Sequence, residues 1–465
     1  MAKSSAKYQY YATLCANILS MSYGAFCGWP SSSFLVLQSK DSPLDGGPMT
    51  DEQASWVGSL LCVGGFVGNY LFGWLANFYG RKISMMLIVI PTLMSLALII
   101  LASSVEYLYV SRFLGGLAGG ATFCIVPLYI TEISEDRIRG QLGSYLVLSA
   151  NFGLLVAYVL GCYVDYDIFP YILTIFPILF IILFAFLPET PPQLLKVKKI
   201  KEAEISLRYF RNLRKISKEP PEYFKSELEK LKHDYLDDPH KSKGDENQLS
   251  WKDFTTKPAL KAFVIGVALM ALNQFCGCFA MINYTATIFV KAGSTLSPNI
   301  SSIIVALIQL IGSYFSVILV ERAGRKLLIA GSAFGTGIGH LCMGTFILLD
   351  NMPGYDVSGY RWVPLACFSF IIFIVSWGVS TLPFLLVSEL CPPKIREIVL
   401  SVCISVLWFF AFFIIKYLSV IVDAMGLHGA LFIFSACSFT GGIFVLAFVP
   451  ETKGKSIDEI IAMLE

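Results

Sequence analysis

Residues 73–82 read Gly73-Trp74-Leu75-Ala76-Asn77-Phe78-Tyr79-Gly80-Arg81-Lys82, and residues 321–326 read Glu321-Arg322-Ala323-Gly324-Arg325-Lys326. Each is a short basic turn with a glycine inside it, set between two apolar runs. What surrounds each turn recurs in the same order. Glu132 is followed seven positions later by Arg139, and Glu389 by Arg396 at the same spacing. Pro188-Glu189-Thr190-Pro191 closes the first set, and Pro450-Glu451-Thr452-Lys453-Gly454 closes the second. Three features repeated in one order mark a duplicated unit, the layout of a two-half membrane carrier.

The composition around these turns is that of a polytopic membrane protein. Of 465 residues, 55% are hydrophobic and 15% charged, against about 25% charged in a soluble domain. A soluble enzyme, a disordered chain, a nucleic-acid binder and a soluble secreted domain are all excluded by that shortage of charge. The net charge of +2 does not discriminate among partners. A bilayer core takes about 20 apolar residues per helix. Windows of that size fall at 8–29, 54–76, 83–102, 107–130, 142–162 and 168–187, then at 260–289, 300–320, 327–349, 362–388, 398–421 and 429–449. The first run is too long for a cleaved leader and lacks a small-residue cleavage site after it. The expected architecture is all-α: a six-helix bundle over 1–188, a charged linker over 189–258, a second bundle over 259–450 and a tail over 451–465.

Lys and Arg set the expected orientation. With the N-terminus cytoplasmic, the inner loops and tails hold Lys3, Lys7, Arg81, Lys82, Arg137, Arg139, Arg322, Arg325, Lys326, Lys394, Arg396, Lys453 and Lys455, and the outer loops hold Lys40, Lys291 and Arg361. Both termini are therefore expected in the cytoplasm, with the plasma membrane as the expected location. The sequon at Asn299 then lies outside, close to the membrane. The segment 190–258 carries 16 Lys/Arg and 12 Asp/Glu, broken by Pro220-Pro221. Lys199–Leu213 and Glu222–Asp234 read as amphipathic helices, either a bundle tying the halves together or a partly ordered tether. Most of the 12 cysteines stand in apolar runs and the four histidines are scattered, so no disulfide framework, metal site or cofactor is expected.

The repeated charges read as two clusters: Arg81, Glu132, Arg139 and Glu189 in the first half, and Arg325, Glu389, Arg396 and Glu451 in the second. Such ion pairs can close one face in one state and release it in another. The alternative is a static ring of topogenic charge.

Gly80-Arg81-Lys82, Pro127-x-Tyr129-x-x-Glu132, Arg139-Gly140, the 321–326 turn, Glu389 to Arg396 and Pro450 to Gly454 together resemble the sugar porter family of the major facilitator superfamily. Among its members the chain looks most like insect-type facilitated trehalose transporters. The resemblance implies two six-helix bundles around a central sugar site, alternating access, no cofactor, and a chain that works as a monomer in the bilayer, without nucleic acid. It is not an enzyme, since no nucleophile–base pair or metal constellation is present.

A sugar site needs amides, which both donate and accept, and an aromatic face. Asn273, Gln274, Asn283, Gln309 and Trp408 fall on or beside positions similar to the family's sugar contacts, with Asn151 one turn beyond Val147. The chain departs from the family at Val147 (for a Gln), Phe279 (for an Asn), Phe384 (for a Trp) and Ala411 (for an Asn), and has Asn77 where the family carries an acid. Amides of this kind can also simply bridge helices.

None of the 33 Asp and Glu falls in the middle of a span. Where proton-coupled sugar porters often carry an acid near the end of the first span, this chain reads Phe26-Cys27-Gly28-Trp29-Pro30. Uniport of a hexose, or of a disaccharide such as trehalose, is expected over proton symport. A sugar sensor with little flux is the other reading, and the short tail after Pro450 speaks against it. Lys416, late in its span, is expected to snorkel to the outer interface, and His340 to be a packed, hydrogen-bonded side chain.

Overall fold

The computed structural model describes residues 6–213, 220–235, 251–293, 296–353, 355, 357–392, 395–453, 455 and 457–464. Lys3, Lys394, Gly454 and much of the linker lie outside the described residues. The spans are numbered here in chain order. In the first half, α1 is Lys7–Leu37, α2 Asp51–Tyr79, α3 Arg81–Ile100, α4 Val105–Ile133, α5 Asp136–Tyr163 and α6 Phe169–Phe184. In the second, α7 is Lys257–Phe275 with a continuation at Cys278–Asn283, α8 Pro298–Ala323, α9 Arg325–Asn351, and α10 Val363–Trp377 with Leu382–Leu390. Arg396–Phe448 holds the last two, α11 at 396–425 and α12 at 427–448, divided at Gly426 (φ 74°).

Among the described residues nine helical segments are long and apolar enough to cross a membrane. The longest runs 51 residues, about 75 Å of helix at 1.5 Å per residue, so it must be two crossings. Two further crossings fall below that measure. The 31-residue α1 is diluted by buried Gln9, Thr13, Asn17 and serines, and α6 is short. The twelve-helix, two-bundle architecture follows.

Three spans are not the continuous helices that their apolar runs suggest. The helix of α6 is interrupted at Thr174, that of α7 at Cys276-Gly277 and again at Tyr284, and that of α10 over 378–381. Gly277 has φ 76°, a conformation that glycine adopts without a Cβ penalty.

Helix starts are built in two ways. A reciprocal capping box opens α2, with Thr50 Oγ1 accepting from the Gln53 N–H and the Thr50 N–H donating to Gln53 Oε1. The starts of α3 and α9 follow Gly80 (φ 94°) and Gly324 (φ 85°) and have no cap from their own segment. Acids from far along the chain supply it.

The two bundles pack most closely along α2 against α11 and α5 against α8. The apolar core is continuous between them only at the end away from the termini. There the far ends of α1, α2, α3 and α5 share one cluster with the second bundle. At the terminal face the first bundle keeps a separate core, built from Leu19, Phe72, Met85, Tyr129, Phe184 and Phe210 among others. The apolar core is thus shared between the bundles at one end and divided at the other.

The described linker helices, Pro191–Lys196, Ile200–Phe210 and Glu222–Tyr235, lie under the first bundle. Arg211 holds them there, donating to the Ile133 carbonyl at 2.9 Å and pairing with Glu227. Gln9 Nε2 donates to the Phe210 carbonyl at 3.2 Å. The C-terminal helix Ile457–Leu464 sits against α7 and the second part of α10.

Candidate functional site

Two charged clusters stand at the terminal face, one per bundle, and their wiring runs in parallel. Arg81 Nη2 pairs with Glu132 Oε1 at 2.8 Å, and Arg325 Nη2 with Glu389 Oε1 at 3.1 Å. The Thr190 hydroxyl donates to Glu132, and the Thr452 hydroxyl to Glu389. Glu189 accepts the Lys82 N–H at 3.0 Å, while Glu451 accepts the N–H groups of Arg325 and Lys326 at 3.0 and 3.1 Å. These carboxylates are the missing caps of α3 and α9, placed where the helix dipole favours negative charge. A Cβ on Gly80 would meet Glu189, and one on Gly324 would meet Glu451.

The clusters differ in solvation. Burial pushes the Glu189 carboxyl above its usual range, and the N–H groups of Thr190 and Lys82 offset that only in part. Burial works on Glu451 in the same sense, but donors from Lys453, Arg325, Lys326 and Thr452 hold it below the usual range. On acidification the first-half cap takes up a proton before the second. Arg139 is exposed at the head of α5. Arg396 is half-buried beside Cys391, its Nε without a partner. Each cluster draws its members from one bundle, so the ion pairs found here do not themselves bridge the two.

Between the bundles lies a cavity of about 170 Å³. Asn151, Asn273, Gln274, Gln309 and Trp408 line it, and Asn283 does not. Asn283 is fully buried, donating to the Phe279 carbonyl at 2.9 Å. Val147, Phe279 and Phe384 also line the cavity, so three of the positions that depart from the family pattern shape its wall. Ala411 is buried outside the lining.

The amides are already engaged with one another. Asn151 Nδ2 donates to Ser313 Oγ at 2.6 Å, and Gln309 Nε2 donates to Asn151 Oδ1 at 3.1 Å, both across the bundle interface. Asn273 Nδ2 donates to the Val379 carbonyl at 2.7 Å, freed by the break in α10, and Gln274 Nε2 donates to Asn273 Oδ1. Among the described lining residues, two fully buried polar atoms have no protein partner: the acceptor Gln309 Oε1 and the donor Trp408 Nε1.

At the end away from the termini, several bonds join the bundles. The Tyr158 hydroxyl donates to the Ile282 carbonyl at 2.6 Å, and the Ala286 N–H donates to Ser31 Oγ at 3.1 Å. The Tyr284 ring lies tilted against Phe34, centroids 5.7 Å apart. Nearer the terminal face, Asn69 Nδ2 reaches the Ser401 carbonyl and Ser405. Sequence reasoning missed these small polar residues, whose roles depend on which helices meet.

It also missed Arg112, a cation inside the apolar span 107–130. Arg112 is fully buried, donating to the carbonyls of Phe26 and Val57, with its guanidinium 4.6 Å from the Phe26 ring centroid. Among the described residues no Asp or Glu lines the central cavity. His340 is a packed side chain, its Nε2 bonded to the Cys276 carbonyl at 2.9 Å where α7 breaks. Lys416 extends to the end away from the termini, clear of the cavity, and there donates to Ser55 of the other bundle with the Trp56 ring beside it. Asn299 sits half-buried in the first turn of α8.

Comparison with known proteins gives the arrangement its family. The facilitated trehalose transporter Tret1 of Polypedilum vanderplanki is 32% identical over 456 residues, covering 97% of this chain and 87% of that protein. Tret1 of Culex quinquefasciatus is 32% identical over 455 residues, covering 97% of this chain and 85% of that protein. The xylose transporter XylE from E. coli, in its inward-open conformation, shares the fold with a TM-score of 0.78 at 22% identity, covering 98% of this chain and 100% of that one. The family described as Sugar (and other) transporter matches residues 5–464. The match runs along nearly the whole sequence: this chain belongs to the Sugar (and other) transporter family, a membrane carrier and not an enzyme.

Proposed function

We propose that the chain is a facilitative sugar uniporter working by alternating access, with a hexose or a disaccharide such as trehalose as cargo. The observation that carries this reading is the unmatched pair in the cavity wall. Gln309 Oε1 and Trp408 Nε1 are buried without a protein partner, and their residues line the space between the bundles. Sugar hydroxyls donate to one and accept from the other, while the indole offers an apolar face. The trehalose-transporter names of the relatives support the substrate class.

The shared core at one end and parted cores at the other support an inward-facing state. In this reading both termini and the linker are cytoplasmic, the membrane is the plasma membrane, and the chain works as a monomer. The halves 1–188 and 259–450 act as two rigid bodies, with the linker 189–258 carried on the first. The charged clusters at the terminal face are their feet, kept in shape by Arg81, Glu132 and Glu189 and by Arg325, Glu389 and Glu451. In this reading Arg139 and Arg396 lie beside these feet and come to meet the opposite bundle as the inner face closes.

Uptake of a labelled sugar panel into proteoliposomes tests the whole reading. For the best substrate, Gln309→Ala and Gln274→Ala should each remove one hydrogen bond of about 0.5–1.5 kcal/mol, a roughly two- to tenfold rise in KM. Parental kinetics in both variants would sink the site assignment.

A further inference from the structure

Lys416 stands late in α11, at the end of the molecule away from the termini. Its Nζ donates to Ser55 Oγ at 2.9 Å and lies 4.2 Å from the centroid of the Trp56 ring. Ser55 and Trp56 open α2, in the other bundle, and the Glu52 carboxylate one turn earlier adds an attractive field. None of these residues lines the central cavity.

We propose that Lys416 is an outer latch, a positioning residue whose cation fastens α11 to α2 while the carrier faces inward and so sets the balance between its two facing states. The inference rests on the alternating-access reading. Its physical basis is that the contact can exist in only one of those states. With the outer ends together, the ammonium has a hydroxyl acceptor and an aromatic face, and the partly dry setting strengthens the attraction to the ring. When the outer ends part, α2 carries Ser55 and Trp56 away and water must replace both. An interaction made in one state only shifts the equilibrium by its own free energy. A snorkelling lysine keeps its water in both states and shifts nothing.

The chain carries its own reporter. Along α2, Gly58 faces Ile415 and Gly65 faces Trp408. Cys62 lies between them on the same helix face and is 1% exposed. Its alkylation by a membrane-impermeant maleimide added outside proteoliposomes, read by mass spectrometry of the Cys62 peptide, measures opening of the outer face. Lys416→Met should raise the Cys62 labelling rate roughly fivefold or more. Trp56→Leu should raise it by less, and Lys416→Arg should keep the parental rate. Parental labelling in both Lys416→Met and Trp56→Leu would overturn the latch. The readout needs no sugar. Faster labelling in a protein that moves no sugar would leave the latch standing and remove the transport reading. Sugar flux with unchanged labelling would do the reverse.

Discussion

Gly80 and Gly324 show how much one absent side chain can decide. Both hold a positive φ, and at both a Cβ would collide with the acid that caps the following helix. Beside the first of these turns, Arg81 is 3% exposed and its partner Glu132 10%. Arg81 also donates to the Ala76 carbonyl at 2.9 Å and to Gln193 Oε1 at 2.7 Å, so one guanidinium joins α2, α4 and the linker. Replacing it leaves a nearly dry carboxylate with only the Thr190 hydroxyl. Arg81→Gln should therefore cost about 3–5 kcal/mol, seen as a large fall in melting temperature of the detergent-solubilised protein. Arg139→Gln, at an exposed position, should melt near the parent. Equal losses in the two variants would contradict the inequality that burial dictates.

Between elements, contact is controlled by close approach as much as by apolar area. A Cβ on Gly64 or Gly68 of α2 would fall on the backbone of α4 at Phe113 and Leu117. One on Gly116 or Gly120 would fall on the backbone of α2 at Leu61 and Gly65. In a bilayer, where lipid is as apolar as leucine, such backbone proximity replaces the hydrophobic drive. Gly116→Ala should force α2 and α4 apart at a cost of about 1–3 kcal/mol. Thermal unfolding of the purified variant checks it, and unchanged stability would mean that the helices slide at no cost.

This is also the scale at which the sequence stops being readable. Hydropathy places the spans, and the repeated turns place the pairing of Arg81 with Glu132 and of Arg325 with Glu389. The break in α7 is hidden because Cys276-Gly277-Cys278 sits in an apolar run, and a lone glycine there reads equally well as packing. Arg112 is hidden for a related reason: its acceptors are carbonyls of α1 and α2, and only the assembled bundle brings them together.

For the whole molecule, the arrangement of acids decides what can drive it. Glu189 and Glu451 are caps at the terminal face, and among the described residues no acid lines the cavity. Proton coupling needs a carboxylate that gains and loses its proton as the cavity changes sides. Proteoliposomes loaded to equal sugar inside and out, then given a pH step, should show no net sugar movement in either direction. Uphill accumulation that follows the proton gradient would overturn the uniport reading.

The seating of Arg112 has an electrical consequence. Its carbonyl acceptors and the Phe26 ring all belong to the same bundle, so the buried charge travels with its own surroundings. One elementary charge moved across the whole membrane couples to about 2.3 kcal/mol per 100 mV. On the uniport reading, a carrier of neutral cargo with Arg112 fixed to one rocking body moves little charge through that field. Membrane voltage then has almost nothing to grip. Such a protein behaves as a valve between two solutions, and the direction of flow through it belongs to their concentrations.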